Sequence, residues 1–324
     1  MNIKKIGMTA LAASLVSTSV FAGELTATGG ASLAFEGYSG TILESDSAFS
    51  MGDSVTLSGS TELDNGITVT MAFELDGDSE ASSTTSAYDD NSLTLSSDAM
   101  GTLKFSAHGG SSASSAMDGT AAGDMFDNFD TGLTVTGAAT KAAGAGDNSF
   151  FYTTPTLVEG LVATASLNTA GASGNNAMGF GVTYTGVEGL SLSYGTADVN
   201  AGASTNSGDQ TVMKASYAIG SLTMSYTNSE YSIGTGATEA NAQDVTSMAV
   251  SYTVSDALSV TYGTEVIESG LSTATDAEYQ GISVAYTAGG MTLTAANQIA
   301  DAISHSSAAN EDYEYWSLGL SFAF

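Results

Sequence analysis

The 324-residue sequence carries 35 acidic residues against five lysines and no arginine, for a formal charge of −30, with 38 glycines, one proline and no cysteine. Nucleic-acid binding, which needs clustered basic side chains, is excluded, and so are a disulfide framework and cysteine-based metal or thiol chemistry. A hydrophobic fraction of 42% with 12% charged residues separates the chain from acidic disordered sequences and predicts a folded product.

Residues 1–22 read as a secretory signal peptide. Lys4 and Lys5 precede a mostly apolar run from Ile6 to Val16, and Val20-Phe21-Ala22 places small side chains at the cleavage positions. The run is shorter than the ~20 apolar residues of a spanning helix, and no later window approaches one.

From Gly23 onward the dominant signal is alternation of apolar residues with Ser, Thr, Gly or an acid, the pattern of strands with two unlike faces. Val55, Leu57, Gly59 and Leu63 alternate with Thr56, Ser58, Ser60 and Glu62. Ile67, Val69, Met71, Phe73 and Leu75 then alternate with Thr68, Thr70, Ala72 and Glu74. Asp64-Asn65-Gly66 joins the two runs, and Asn-Gly supplies the positive φ angles of a tight hairpin. Sixteen such runs begin near Leu25, Phe49, Ile67, Ser92, Thr102, Ser149, Leu161, Met178, Leu190, Thr211, Leu222, Val245, Leu258, Glu278, Met291 and Tyr313.

A longer period lies above the first. Tyr184, Tyr217, Tyr252 and Tyr286 recur every 33 to 35 residues, each just before a short turn and a new alternating run. The repeat is a hairpin with one short turn and one longer polar connection. Short turns alternating with long loops, tyrosines on the apolar parity near the short turns, and polar faces of Ser, Thr and Gly suit an outer-membrane barrel, apolar outside and wet inside. A soluble solenoid or adhesin built of repeated hairpins satisfies the same periodicity. The last run, DYEYWSLGLSFAF, places Trp316, Leu318, Leu320, Phe322 and Phe324 on one face and ends on Phe324.

This final amphipathic strand with its terminal Phe resembles the assembly signal of Gram-negative outer-membrane proteins, which assigns that part to Trp316, Phe322 and Phe324. With sixteen runs over residues 23–324, the chain resembles the general diffusion porins of Gram-negative bacteria, the alphaproteobacterial type above all. The stretch SLTLSSDAMGTLKFSAHGGSSASSAMDG, Ser92 to Gly119, is the most specific local match: a strand, a Gly-bearing turn and a second strand with Lys leading into the third extracellular loop. The resemblance implies an all-β fold, a closed antiparallel transmembrane β-barrel of sixteen strands with a long third loop folded into it. It also implies location in the outer membrane, contact with its lipid, and assembly as a homotrimer.

The loop would span residues 108–148, a length that is usually functional. As a pore constriction it would present Asp118, Asp124, Asp127 and Asp130, with Lys141 its only base. Parity turns Glu62, Glu74, Lys104, Lys214 and Glu265 towards the lumen wall. One departure stands out: the family commonly faces its acidic loop with arginines, and this chain has none. The implied function is a water-filled channel for passive diffusion of small hydrophilic solutes and ions, with cations favoured. Two alternatives share parts of this evidence, a surface or secreted β-rich adhesive protein and a substrate-specific outer-membrane channel.

An outer-membrane hydrolase would need a nucleophile with a base. The two histidines, His108 and His305, fall in predicted loops, the sequence places no ordering carboxylate beside them, and in separate loops they offer no transition-metal site. No cofactor is expected. The acidic doublets Asp89-Asp90 and Glu311-Asp312 offer Ca²⁺ or Mg²⁺ at most a shared carboxylate pair, and solvated loop charge is the plainer reading.

Overall fold

A computed structural model describes residues 25–40, 47–76, 90–129, 146–169, 176–199, 208–233, 242–271, 273–303, 305 and 313–324. The expected signal peptide lies outside these residues. The alternating runs form β1 Leu25–Gly40, β2 Ala48–Glu62, β3 Thr68–Asp76, β4 Asn91–Ser97, β5 Gly101–His108, β6 Ser149–Thr153, β7 Leu161–Thr169 and β8 Asn176–Val187. They continue as β9 Leu190–Val199, β10 Gly208–Ile219, β11 Leu222–Ile233, β12 Gln243–Ser255, β13 Leu258–Ser269, β14 Ala277–Ala288, β15 Met291–Asp301 and β16 Tyr313–Ala323. Every strand pairs antiparallel with its chain neighbours, and β1 pairs with β16, so the sheet is a closed barrel without an edge. Every observed strand start falls within three residues of the position expected from periodicity.

Alternation decides which face is wet. Met71, Met178, Phe180, Met213, Met248, Ile282, Leu318 and Phe322 point outward and are exposed on the bare barrel, as are Tyr217, Tyr252 and Tyr286 beside their short turns. Such a surface is stable only against hydrocarbon, and the tyrosines sit where an interfacial girdle belongs. Among the described residues no helix is long and apolar enough to cross a membrane. Closure also satisfies the backbone, as lipid requires.

The Asp64-Asn65-Gly66 turn differs in detail from the expected hairpin. Gly66 alone is left-handed, at φ 78°. Its N–H donates to the Leu63 carbonyl, and Leu63 N–H pairs with the Ile67 carbonyl. A three-residue loop ending in a left-handed glycine needs only one positive φ, where a two-residue turn would need two. Asn65 serves through its side chain, whose Oδ1 accepts the Ile67 N–H at 3.2 Å.

Two features of the barrel are unusual, one on its outer face and one inside it. On the outer face at the loop end, carboxylates sit directly opposite one another across strands: Asp198 and Asp209, Glu230 with Asp244 and Asp244 with Glu268, and Glu278 with Asp301. The main cluster of buried apolar side chains lies inside the barrel, where Met125, Phe126 and Phe129 pack on Val245, Ile267, Ala277, Tyr279, Ala300, Ile303, Tyr313 and Tyr315.

Candidate functional site

Beyond β5 the chain turns inward. Residues 109–129 run along the inward faces of β7 to β16, and their local structure is set by short polar side chains. Ser112 and Ser115 close a tight turn on each other, with Ser112 N–H to Ser115 Oγ at 2.7 Å and Ser115 N–H to Ser112 Oγ at 2.9 Å. Thr120 and Asp124 form a reciprocal pair, Thr120 N–H donating to Asp124 Oδ1 at 2.8 Å and Asp124 N–H to Thr120 Oγ1 at 2.7 Å. This pair immediately precedes the 3₁₀ turn Met125–Phe129, within which the Asp127 N–H donates to the Asp124 carbonyl at 3.1 Å.

Inward-facing wall residues hold the segment. Ala113 N–H donates to Ser166 Oγ at 2.9 Å, and Ser114 Oγ donates to Gln210 Oε1 at 2.7 Å. Gln210, fully buried, uses its Nε2 on Asp118 Oδ2 at 3.1 Å and on Ser229 Oγ at 3.2 Å. Lys214 Nζ donates to the Gly119 carbonyl at 2.6 Å, and Ala122 N–H donates to Ser247 Oγ at 2.9 Å. Glu265 accepts the Thr120 hydroxyl on one oxygen and the Phe126 N–H at 3.2 Å on the other. Further along, Asn128 Nδ2 donates to Gln298 Oε1 at 2.9 Å, and the Phe129 ring lies 5.7 Å from Tyr279 and 6.1 Å from Tyr315. The approach is close enough to demand a missing side chain on the wall: a Cβ on Gly263 would lie 2.5 Å from Ala122 Cβ and 3.1 Å from its Cα.

The residues singled out from sequence divide accordingly. Asp118 is half-buried at Gln210, Asp124 is engaged with Thr120, and Asp127 is exposed on the 3₁₀ turn. Asp130 and Lys141 lie outside the described residues. Glu74 faces the lumen on β3 opposite Thr56, and Lys104 on β5 opposite Thr94 and Phe151. Glu62 is exposed at the short-turn end of β2. Glu265 has the inward parity expected of it but is only 1% exposed, sealed beneath the segment; its neighbours are the loop backbone rather than water. Lys214 likewise spends its ammonium on a carbonyl. Trp316, Phe322 and Phe324 take the outward parity. Phe324 completes the seam with β1, its N–H and C=O pairing with Gly29 at 3.0 and 2.8 Å.

Burial pushes the Asp118 carboxyl above its ordinary value; the Gln210 hydrogen bond opposes the shift, Asp124 adds to it, and Lys214 opposes it weakly. His108 ends β5 rather than sitting in the loop, 3.2 Å from Asp147 Oδ2, and His305 Nδ1 lies 3.0 Å from the Thr275 carbonyl. Of the acidic doublets only Asp90 is described, and among the described residues no group of three or more His, Asp or Glu side chains gathers as a metal would require.

Several inward residues escaped sequence reasoning. Glu36, which accepts the Tyr315 hydroxyl at 2.9 Å, and Asp76 both take the inward parity, which alternation in β1 and β3 could have revealed. Gln210, Ser166 and Ser247 carry no such signal, since any polar inward residue fits the pattern. Tyr38, Tyr279, Tyr313 and Tyr315 also face inward; Tyr279, Tyr313 and Tyr315 are buried in the cluster against the segment, with Tyr38 packed beside it.

The family model described as Gram-negative porin matches residues 7–267. Among solved structures, the chain is similar to an anion-selective porin from Comamonas acidovorans, at 15% identity and a TM-score of 0.69, covering 93% of this chain and 99% of that one. It is similar too to a triple mutant of the Rhodopseudomonas blastica porin, at 15% identity and a TM-score of 0.67, covering 93% and 100%. A porin structure refined at 1.8 Å resolution has 18% identity and a TM-score of 0.67, with 93% and 100% covered. No curated protein sequence matches.

Proposed function

The chain belongs to the Gram-negative porin family, and from that premise we propose that it is a cation-preferring diffusion channel whose constriction is the segment between β5 and β6. Family and fold are those of a non-enzymatic outer-membrane channel, which sets aside the adhesive and hydrolytic alternatives. The narrower reading comprises cleavage of residues 1–22, a homotrimer in outer-membrane lipid, and passive diffusion of small hydrophilic solutes and ions past residues 108–148, without a cofactor.

The observation that carries cation preference is the sign of the charge on the inward-facing side chains. Of the described residues only Lys104 and Lys214 are lysines, and both take the inward parity. Glu36, Glu74 and Asp76 face inward on β1 and β3, and Asp127 is exposed on the loop. Inside a narrow lumen, low-dielectric walls focus such fields, and carboxylates favour cations. The Comamonas relative is anion-selective by description, so fold alone does not carry the sign of selectivity; the side chains do.

Reconstitution in a planar bilayer under a KCl gradient tests this. The reversal potential is expected to report K⁺ preference, weakened when Asp118, Asp124, Asp127 and Asp130 are all changed to Asn, and strengthened by Lys104→Ser. Preference for Cl⁻ in the wild-type channel would overturn the electrostatic reading, and unchanged selectivity in the quadruple variant would remove the loop acids from the constriction.

A further inference from the structure

Glu265 and Lys214 are charged, inward-facing and spent on the loop rather than on the lumen, and they occupy the same line across the barrel. Lys214 on β10 pairs with Thr227 on β11, Thr227 with Ser247 on β12, Ser247 with Glu265 on β13, and Glu265 with Tyr279 on β14. Along this line the wall meets the loop between residues 119 and 129. Lys214 takes the Gly119 carbonyl, Ser247 the Ala122 N–H, Glu265 the Phe126 N–H and Thr120 hydroxyl, and Tyr279 the Phe129 ring.

The polarity of each wall group suits what it meets. The ammonium faces a carbonyl, and the carboxylate faces an N–H near the start of the 3₁₀ turn, where free N–H groups favour an anion. A carboxylate that is 1% exposed is costly to bury unless its oxygens are satisfied, and here the loop supplies the donors. Both oxygens of Glu265 are thus engaged by the loop rather than by water in the lumen.

We propose that the row Lys214–Ser247–Glu265 is a clamp that sets the position of residues 119–129, with Glu265 its principal positioning residue. Pore size and selectivity then depend on Glu265 through the loop it positions. The inference rests on the constriction reading above, and one experiment separates the two.

A spin label is placed at Asp127→Cys, in a chain that has no cysteine of its own, and the label's mobility is read beside single-channel current. In the otherwise unchanged barrel the label is immobilised. Glu265→Ala is expected to mobilise it and to raise the frequency of current fluctuations on the order of tenfold, the scale of losing a charge-assisted hydrogen bond. Glu265→Gln, which keeps the shape and one acceptor, recovers part of both. Should Glu265→Ala fail to yield a barrel that shifts mobility on heating, Lys214→Met and Ser247→Ala carry the test, with smaller increases of the same sign. An immobile label in Glu265→Ala, or in both of the other variants, overturns the clamp. A mobilised label with unchanged conductance and selectivity upholds the clamp and overturns the constriction reading.

Discussion

At the scale of single residues, the same side-chain type does different work according to what covers it. Asp118, Asp124 and Asp127 are equivalent in sequence, yet one is half-buried on Gln210, one is tied to Thr120 and one is exposed. Asp118 therefore titrates away from a free carboxylate. Because burial raises its carboxyl above the ordinary value, it takes up its proton before exposed carboxylates do as pH falls. Part of the K⁺ preference is expected to be lost in that first step, and Asp118→Asn should remove the step while leaving the later decline; reversal potentials measured across a pH series check this. The sign for stability follows. The folded state binds the proton more tightly than the unfolded chain, so Asp118 costs stability above its raised value, and the cost is relieved as pH falls towards the ordinary value. Alternation revealed the inward parity of Glu265 but could not tell water from loop beneath it. Parity is a property of the strand, whereas cover comes from a segment more than 130 residues earlier in the chain.

At the scale of elements, β16 shows how closure is completed. Its outward aromatic face was legible in the sequence, but the partner of its end was not. Phe324 closes two backbone hydrogen bonds with Gly29, and its ring occupies the space where a Cβ on Gly29 would lie 2.8 Å from it. Deleting Phe324 removes both bonds, each about 0.5–1.5 kcal/mol net in water and more where lipid offers no substitute partner. Slower appearance of the heat-modifiable barrel is expected, with conductance unchanged once folded. Gly29→Val should slow assembly through the same contact, because the new side chain displaces the ring and meets the Ser54 carbonyl, also 2.8 Å away. Pulse-labelled assembly followed by cold SDS electrophoresis checks both, and normal kinetics in both variants would deny Phe324 its part in closure. The segment after β5 is the opposite case. Its length pointed to function, but its 3₁₀ turn was not legible, since five residues held by Glu265 and an apolar wall show no helical period.

At the scale of the whole molecule, the uneven charge carries a stability consequence. Carboxylates directly opposite one another across strands repel, by roughly 0.2–1 kcal/mol for each pair, and the outer face at the loop end holds Asp198 with Asp209, Glu230 with Asp244 and Asp244 with Glu268, and Glu278 with Asp301. Raising monovalent salt from 0.01 to 1 M shortens the screening length from about 30 to about 3 Å. The denaturation temperature of the detergent-solubilised barrel should therefore rise with salt, and Asp244→Asn should flatten the dependence. A salt-independent temperature would show that these charges are already compensated. The closed barrel itself was within reach of the sequence, because a period of two states locally which residues face lipid and which face water, and sixteen such runs with alternating short and long connections leave few other ways to satisfy the backbone in a membrane. What only the tertiary structure decided is the lumen. Which inward side chains are open, which are covered and which meet the loop depends on register around the barrel and on where one long segment lies. Those are contacts between residues far apart in the chain, on which alternation along a strand is silent.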